Sequence, residues 1–458
     1  MTASINKVEM DLTTGSIFKK LIIYAIPFMI TNILQTLFNT MDIAVLGIFC
    51  GDEAVGAVGA NAAFTALVVT LFVSFSTGAN AVLAKYVGAK DKESARRTVG
   101  TSILLSPILG VILILIGVPL VPTFLRLVDC TPELIPMATT YCRIYFLGMP
   151  VTLLYNFCAS ILRAVGDTKR PLIFLTIGGV LNVLLNVFFV AVFKMTVEGV
   201  ALATIISQAV SAILCLMVMI KGNGYGVLEV KYLKIYKKQL KEITQIGVPT
   251  GLQSIILSIS NVFIQSAINS FGVPGTSGNT AATQFDSIIS QVGLAIAMSS
   301  MAFVSQNVGA KDAERVKKSI IYGVCLTAMI CSGLALTLVV FSHFFCGLIA
   351  HEKEVIEFAV MRIWVIAPSY VIFYVGEVLA YSLRGMGRPV ISLVINIISS
   401  FVLRTACLEI LMSVWRSFPA IFLSYSITWL INLAVFTCII PSVYKKVKRE
   451  IQSEQCSI

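Results

Sequence analysis

The stretch Leu21 to Phe49, LIIYAIPFMITNILQTLFNTMDIAVLGIF, decides the fold because it is a long apolar run with one acidic residue, Asp42, in its second half. About 20 apolar residues in a helix cross the roughly 30 Å hydrocarbon core of a bilayer. A carboxylate there costs roughly 2.5 to 3.5 kcal/mol on insertion scales, so Asp42 should face protein or a water-filled cavity and serve a function. The alternative is a structural carboxyl group that hydrogen-bonds to a neighbouring helix.

The composition extends this interpretation to the whole chain. Of its 458 residues, 57% are hydrophobic and 12% are charged, and the mean hydropathy is +0.91. These values are typical of an all-α polytopic membrane protein. The apolar runs predict twelve transmembrane helices at 21–49, 54–84, 98–124, 134–162, 171–193, 197–220, 243–271, 278–305, 319–349, 355–383, 389–415 and 418–443.

The basic residues predict the orientation of these helices. Of 34 lysines and arginines, 27 lie at the N-terminus, after even-numbered spans or in the C-terminal tail, and only four lie in the opposite loops. The positive-inside rule therefore predicts that both termini are cytoplasmic, and we expect the cytoplasmic membrane of a bacterium. Although the net charge is +11, the basic residues alternate between loops instead of forming one patch, so we expect no nucleic-acid partner.

The chain also contains an internal repeat. The sequence VGAKD at Val87–Asp91 returns at Val308–Asp312, and Leu162-Arg163 returns at the same offset as Leu383-Arg384. Two homologous six-helix lobes are predicted: an N-lobe at 1–220, a cytoplasmic basic linker at 221–242, and a C-lobe with a cytoplasmic tail at 243–458. Because six is even, both lobes enter the membrane in the same direction, as in many alternating-access transporters.

Several motifs in their order along the chain resemble the multidrug and toxic compound extrusion (MATE) family. They are Met41-Asp42, LRAVGDTKRP at Leu162–Pro171, Asn182-x-x-x-Asn186, GVALAT at Gly199–Thr204 and QNVGA at Gln306–Ala310. The resemblance implies two six-helix bundles that form a V. It also implies a secondary antiporter that exports amphipathic, often cationic compounds in exchange for protons or sodium ions.

A polar group in the predicted N-lobe is the candidate for the coupling ion. Asn182 and Asn186 are four residues apart and share one face of a helix, at a depth similar to that of Asp42. Oxygen ligands of this kind suit a titratable proton site or a small hard cation, so sodium at Asp42, Asn182 and Asn186 is one possibility. The other is that the asparagines join helices by hydrogen bonds. The resemblance implies that this network carries the ion, although the family often has aspartate where this chain has Asn186.

The predicted C-lobe has acids of its own. Candidate substrate-binding residues are Gln253, Gln284, Asp286 and Glu377, together with Asn156, the N-lobe counterpart of Glu377. Two acids in an apolar lobe could attract a small organic cation. Alternatively, an intramembrane arginine neutralises one of them, and Arg404, which matches Asn186 by a local offset of 218, is a candidate. We expect a monomer in the lipid bilayer.

Other classes of function fit less well. A lipid-linked oligosaccharide flippase of the same broad superfamily would need cations for pyrophosphate, and Arg143, Arg362 and Arg404 lie within spans. No G-x-x-x-x-G-K-[ST] loop is present, and no nucleophile and base stand out, so neither an ATP-driven pump nor an enzyme with catalytic residues is expected. The eleven cysteines have no C-x-x-C spacing, so we expect no metal centre and no cofactor other than H⁺ or Na⁺ as the coupling ion.

Overall fold

The computed structural model describes residues 10–127, 131–350 and 352–456, and every regular element in these ranges is helical. Eleven of the helices are long and apolar enough to cross a bilayer, and one bent pair of helices provides a twelfth candidate span. The predictions of an all-α fold and of twelve spans are therefore confirmed. The first nine residues of the predicted N-terminal tail lie outside the described residues.

The helices follow the predicted order of spans. The first seven are α1 (Ile17–Cys50), α2 (Asp52–Gly88), α3 (Lys92–Leu127), α4 (Ile135–Leu147), α5 (Met149–Ala164), α6 (Lys169–Val187) and α7 (Val197–Lys221). The next eight are α8 (Lys237–Asn269), α9 (Gly272–Gly309), α10 (Ala313–Val340), α11 (Ser342–Ile349), α12 (Lys353–Gly385), α13 (Pro389–Ile397), α14 (Arg404–Val414) and α15 (Phe418–Cys456). Two π-helical segments, Phe188–Val192 and Ile398–Leu403, follow α6 and α13.

Two predicted spans are not single helices, which corrects the sequence interpretation. The span at 134–162 is divided at Gly148 into α4 and α5, which are bent by 47°. Pro150 stands at the start of α5, where its missing N–H and its fixed φ fit the first turn of a new helix better than the middle of a continuous one. The span at 319–349 is likewise divided at Phe341 into α10 and α11.

The repeated VGAKD sequence forms the same turn twice. Lys90 and Lys311 have positive φ angles of 57° and 56°, which end the preceding helices in the left-handed region. The next residues, Asp91 and Asp312, accept a hydrogen bond from the backbone N–H three residues later, at 3.0 and 2.9 Å. Each aspartate thereby caps the N-terminus of the next helix. Each copy of VGAKD thus forms the turn between two consecutive helices, and the backbone geometry of that turn explains why the sequence repeats.

Contacts divide the chain into two compact units. The first unit contains Ile26–Gly251 and the described residues before Leu12, and the second contains Leu12–Ala25 and the described residues from Leu252 onward. Helices α1 and α8 therefore each contribute to both units. The two changes of unit lie beside Pro27 and Pro249. The lobe boundaries at 220 and 243 remain a prediction about the repeat.

Glycines allow the beginning of α8 to pack closely within the first unit. A Cβ atom on Gly78 of α2 would lie 2.4 Å from the Ile243 carbonyl oxygen, and one on Gly247 would lie 2.8 Å from Phe75 Cα. Backbone atoms cannot move aside as a flexible side chain can. These positions therefore require glycine for α2 and α8 to approach as they do.

A polar anchor holds the segment before α1 within the second unit. The Leu12 N–H donates to Gln306 Oε1 at 3.2 Å, and the Leu12 carbonyl accepts from Arg315 Nη2 at 3.3 Å. Arg315 also donates to the Gly15 carbonyl at 3.1 Å and to Asn307 Oδ1 at 3.1 Å. The QN pair of the QNVGA motif thus holds the chain where it enters α1.

Candidate functional site

The carboxylate of Asp42 is held by neutral groups from two other helices. It lies on α1, eight residues before the end of the helix at Cys50, and is half-buried. Asn186 on α6 donates from Nδ2 to Asp42 Oδ1 at 2.6 Å, and the Thr204 hydroxyl on α7 lies 3.3 Å from Oδ2. Among the described residues, no ion pair involves Asp42. The carboxylate therefore has hydrogen-bond donors but no counter-ion.

The two asparagines extend this network along one face of α6, as the sequence predicts. Asn186 Nδ2 lies 3.4 Å from Asn182 Oδ1, and Asn182 Nδ2 donates to Thr204 Oγ1 at 3.3 Å. Asn186 is fully buried, and its Oδ1 has no hydrogen-bond partner among the described residues. A buried amide oxygen normally has a donor or a cation beside it. The network therefore contains one acceptor that is free to bind a further group.

Thr204 can respond to the charge of Asp42. Its hydroxyl oxygen lies 3.3 Å from Asp42 Oδ2 and 3.0 Å from the Val200 carbonyl oxygen, so one proton serves two acceptors. An ionised Asp42 attracts that proton. When Asp42 is neutral, the hydroxyl can turn to Val200 and accept instead. The network can thus accommodate both charge states of the carboxyl group without moving a helix.

Two glycines bring the three helices together. A Cβ atom on Gly178 of α6 would lie 2.1 Å from Ser211 Oγ on α7 and 2.9 Å from the Ser207 carbonyl oxygen. A Cβ atom on Gly179 would lie 1.8 Å from the ring of Phe38 on α1. The π-helical segment at Phe188–Val192 begins two residues after Asn186, and such segments frequently occur at functional sites. Local sequence therefore shapes α6 for close contact with both neighbours.

A small polar cavity adjoins Asp42. Its volume is about 30 Å³, and it is lined by Asp42, Asn182, Thr204, Gln35, Asn39 and Gln208, among other residues of α1, α6 and α7. A cavity needs about 10 to 15 Å³ to hold one water molecule, so this one has room for a water or a small ion. All the ligands it offers are oxygen or amide groups, which suit a proton or a hard cation.

In the second unit, Asp286 pairs with Arg362. Arg362 Nη1 donates to Asp286 Oδ2, and both side chains are buried, at 6% and 3% exposure. The guanidinium carbon of Arg362 also lies 5.3 Å from the ring centroid of Phe422. The alternative raised for Arg404 is therefore wrong for this acid, since Asp286 is neutralised by Arg362 and not by Arg404.

Gln253 and Glu377 belong to a different part of the second unit. Arg384, at the end of α12, donates from Nη2 to Gln253 Oε1 on α8 at 2.6 Å. Its guanidinium carbon lies 4.0 Å from the ring centroid of Tyr381. Glu377 is buried two turns earlier on α12.

The remaining predicted substrate residues are Gln284 and Asn156. Gln284 is exposed on α9, and Asn156, on α5 of the first unit, donates from Nδ2 to the Thr152 carbonyl of its own helix at 2.8 Å. Within the second unit, the structure brings Gln253 to Arg384 and Asp286 to Arg362. Their role in substrate binding remains a prediction.

Two functional candidates were missed by the sequence analysis. Thr204 lies in the quoted GVALAT motif, and a hydroxyl in an otherwise apolar turn of α7 was a signal for it. The partnership of Arg362 with Asp286 had no local signal, because the two residues are 76 positions apart and only tertiary packing brings them together.

Known proteins are similar to this chain over most of its length. The profile of the MatE family matches residues 27–188 and 249–407. Two proteins of Bacillus subtilis (strain 168) are similar to this chain. The probable multidrug resistance protein YpnP is 29% identical over 394 residues, which cover 86% of this chain and 88% of the relative. The probable multidrug resistance protein YoeA is 27% identical over 423 residues, which cover 89% and 91%.

Solved structures share the fold across almost the full length. A crystal structure of MATE in the bent conformation superposes with a TM-score of 0.90 at 22% identity, covering 96% of this chain and 98% of the other. The outward-facing conformation of a multidrug resistance MATE family transporter of the MOP superfamily gives a TM-score of 0.89 at 21% identity, covering 97% and 99%. At these identities the likeness establishes the fold alone.

Proposed function

The chain belongs to the MatE family, and from that membership we propose that it is a secondary antiporter which exports amphipathic compounds in exchange for protons or sodium ions. It is a multi-pass membrane protein and a transporter, not an enzyme. The names of the similar Bacillus proteins support multidrug export as the activity. The flippase alternative is not favoured, because the similar proteins are named as multidrug resistance proteins.

One observation carries the proposal: the Asp42 carboxylate is held by Asn186 and Thr204 without a counter-ion. A carboxylate in this setting exchanges a cation readily, because no salt bridge has to break. Binding of either H⁺ or Na⁺ neutralises its single negative charge. Sodium would gain the unpartnered Asn186 Oδ1 as a further oxygen ligand, whereas a proton would be shared with Thr204.

The energy for export would come from the ion. One charge that moves inward through the membrane supplies about 2.3 kcal/mol per 100 mV of membrane potential. Ion binding at Asp42 would favour the state that releases substrate outward, and loss of the ion to the cytoplasm would reset the transporter. For coupling, the ion and the substrate each need only bind one of these two states of the transporter more tightly than the other.

The substrate class and the setting are further parts of the proposal. We propose small organic cations or other amphipathic compounds, because the chain belongs to the MatE family and its similar relatives are named as multidrug resistance proteins. The charge asymmetry of the loops supports cytoplasmic termini in a bacterial cytoplasmic membrane. The repeat supports lobes at 1–220 and 243–458 with a basic linker at 221–242. We further propose a monomer that needs no cofactor.

Ethidium efflux from cells that express the wild type or Asp42→Asn tests this function. The proton and sodium gradients are collapsed separately, so that the gradient whose loss stops efflux identifies the ion. We expect Asp42→Asn to abolish coupled efflux without lowering the amount of folded protein in the membrane. Asp52→Asn, which removes an exposed carboxylate at the start of α2, is the matched control and should export normally. Normal efflux by a well-expressed Asp42→Asn variant would refute the proposal.

A further inference from the structure

A cavity of the second unit differs in charge from the cavity at Asp42. It has a volume of about 360 Å³ and lies among α8, α9, α12, α14 and α15. Its charged lining residues are two arginines, Arg362 and Arg404, and no acidic side chain lines it within the described residues. Because Asp286 neutralises Arg362, the cavity retains one uncompensated positive charge, on Arg404.

Arg404 is held by aromatic rings and not by hydrogen bonds. It is only 2% exposed, and its guanidinium carbon lies 4.3 Å from the ring centroid of Tyr425 and 5.8 Å from that of Trp429. Its Nε and Nη2 atoms have no hydrogen-bond partner among the described residues. Ring faces attract the cation but accept few of its five N–H donors. A buried arginine in this state normally has an anionic partner.

The backbone before Arg404 directs it to this place. The π-helical segment Ile398–Leu403 ends one residue before it, and Ser260 Oγ of α8 donates to the Ser400 carbonyl in that segment at 2.7 Å. By the local offset of 218 that aligns Pro171 with Pro389, the equivalent of Arg404 is Asn186, which precedes a π-helical segment whereas Arg404 follows one. The same position thus carries an amide that contacts a carboxylate in the first unit and an unpaired cation in the second.

We propose that this cavity binds the anionic group of an aromatic, amphipathic organic anion such as a carboxylate or a sulfonate. The guanidinium of Arg404 supplies planar donors for two oxygens of the anion. Tyr370, Phe373 and Trp429 supply an aromatic wall for the apolar part, and the volume matches that of a small ligand site. The inference rests on the proposed function only in treating this anion as cargo, because binding itself needs no transport.

Fluorescence of Trp429 provides a direct test, because this tryptophan lines the cavity. Trp364 and Trp415 are exposed and are not among its lining residues, so both are replaced by phenylalanine. The full-length protein is placed in nanodiscs of zwitterionic lipid and titrated with 4-iodobenzoate, whose iodine quenches tryptophan on contact. The neutral 4-iodobenzamide and the cationic 4-iodobenzyltrimethylammonium are titrated in parallel.

We expect saturable quenching by 4-iodobenzoate at a concentration about tenfold or more below that needed for the amide, because hydrogen bonds to a charged group are worth roughly that factor. Arg404→Gln should remove the preference for the anion, and Arg404→Lys should retain part of it, since lysine keeps the charge but loses the planar fork. Arg416→Gln, which removes an exposed positive charge from the α14–α15 loop, is the matched control and should bind as the parent does.

The following outcomes would overturn the proposal: equal quenching by benzoate and benzamide, a preference for the cation, or an unchanged preference in Arg404→Gln. If phosphatidylglycerol added to the nanodisc prevents quenching by 4-iodobenzoate, the site binds a lipid headgroup and not a solute. Thermal unfolding distinguishes a structural role of Arg404 from a role in ligand binding. If the charge serves a ligand, the melting temperature of Arg404→Met should be no lower than that of the parent. Anion binding without ethidium efflux would refute the export of this cation and leave the anion site intact.

Discussion

Asn186 donates its side-chain amide to the carboxylate of Asp42 at 2.6 Å, across 144 residues of sequence. The amide nitrogen faces the carboxylate, which leaves the amide oxygen buried and without a partner. This orientation suits an ionised Asp42, because the oxygen end would repel it. The charge on Asp42 therefore determines the orientation of the Asn186 side-chain amide, and with it the direction in which the amide oxygen points.

Replacing Asn186 by aspartate should increase the affinity for sodium. The substitution puts a second carboxylate next to Asp42, where two negative charges repel each other unless a cation lies between them. We expect Asn186→Asp to gain stabilisation by sodium, seen as a rise in the melting temperature of the purified protein between potassium and sodium buffers of equal ionic strength. Asn223→Asp, in the loop after α7, adds the same charge elsewhere and should show no sodium-specific rise. The absence of any difference between the two variants would contradict a cation site at Asp42.

Thr204 should contribute to coupling through its hydroxyl group. Thr204→Val keeps the shape of the side chain but removes the donor to Asp42 and the acceptor for Asn182. A hydrogen bond to a charged group is worth about 1.5 to 3 kcal/mol, so we expect the concentration of coupling ion for half-maximal efflux to change by about tenfold or more. Thr204→Ser retains the hydroxyl and should remain close to the wild type. Equal behaviour of the valine and serine variants would exclude this role.

Hydropathy and the repeat predicted the order of the helices because both depend on local rules. A span needs about 20 apolar residues whatever surrounds it. The VGAKD turn needs an aspartate before the next helix, as Asp91 and Asp312 show. The break at Gly148 had a local signal in Pro150, but the π-helical segments next to Asn186 and Arg404 had none, since they depend on packing against other helices.

The candidate site could be predicted only in part. The spacing of Asn182 and Asn186 placed them on one face, and the structure joins them to Asp42. The partner of Asp286 could not be chosen between arginines, because the choice depends on which faces of α9, α12 and α14 meet. The structure places Arg362 beside the acid and leaves Arg404 against aromatic rings.

The pair Asp286 and Arg362 should stabilise the fold more than it serves transport. Removing one partner leaves a buried, unpaired charge and should cost about 3 to 5 kcal/mol, whereas replacing both by apolar residues is often neutral. We therefore expect Arg362→Met alone to lower the melting temperature, and the double variant Asp286→Leu/Arg362→Met to recover most of the loss. Unfolding can be followed with a thiol-reactive dye once the exposed Cys325 and Cys438 are replaced by serine, because Cys331 and Cys346 are buried and free in the folded chain.

A substrate role for Asp286 would give a different pattern. In that case Asp286→Asn would melt as the wild type does but would fail to export ethidium. The double variant would then also be stable and inactive. Export by the double variant at more than about half the wild-type rate would assign the pair to structure, since loss of a substrate contact costs at least about 1 kcal/mol, or fivefold.

The polar anchor before α1 should control local opening of the segment that leads into this helix. Arg315 donates to the carbonyl oxygens of Leu12 and Gly15, so Arg315→Ala removes both bonds at once. Each hydrogen bond contributes about 0.5 to 1.5 kcal/mol, so hydrogen exchange in residues 12–20 should become about tenfold faster. Lys318→Ala removes an exposed cation from the same helix and should leave exchange unchanged. Helix α1 also carries Asp42. Faster exchange that extends from this segment to residue 42 would show that the anchor holds the whole helix. Faster exchange confined to the segment before Pro27 would show that the proline separates the two parts of the helix.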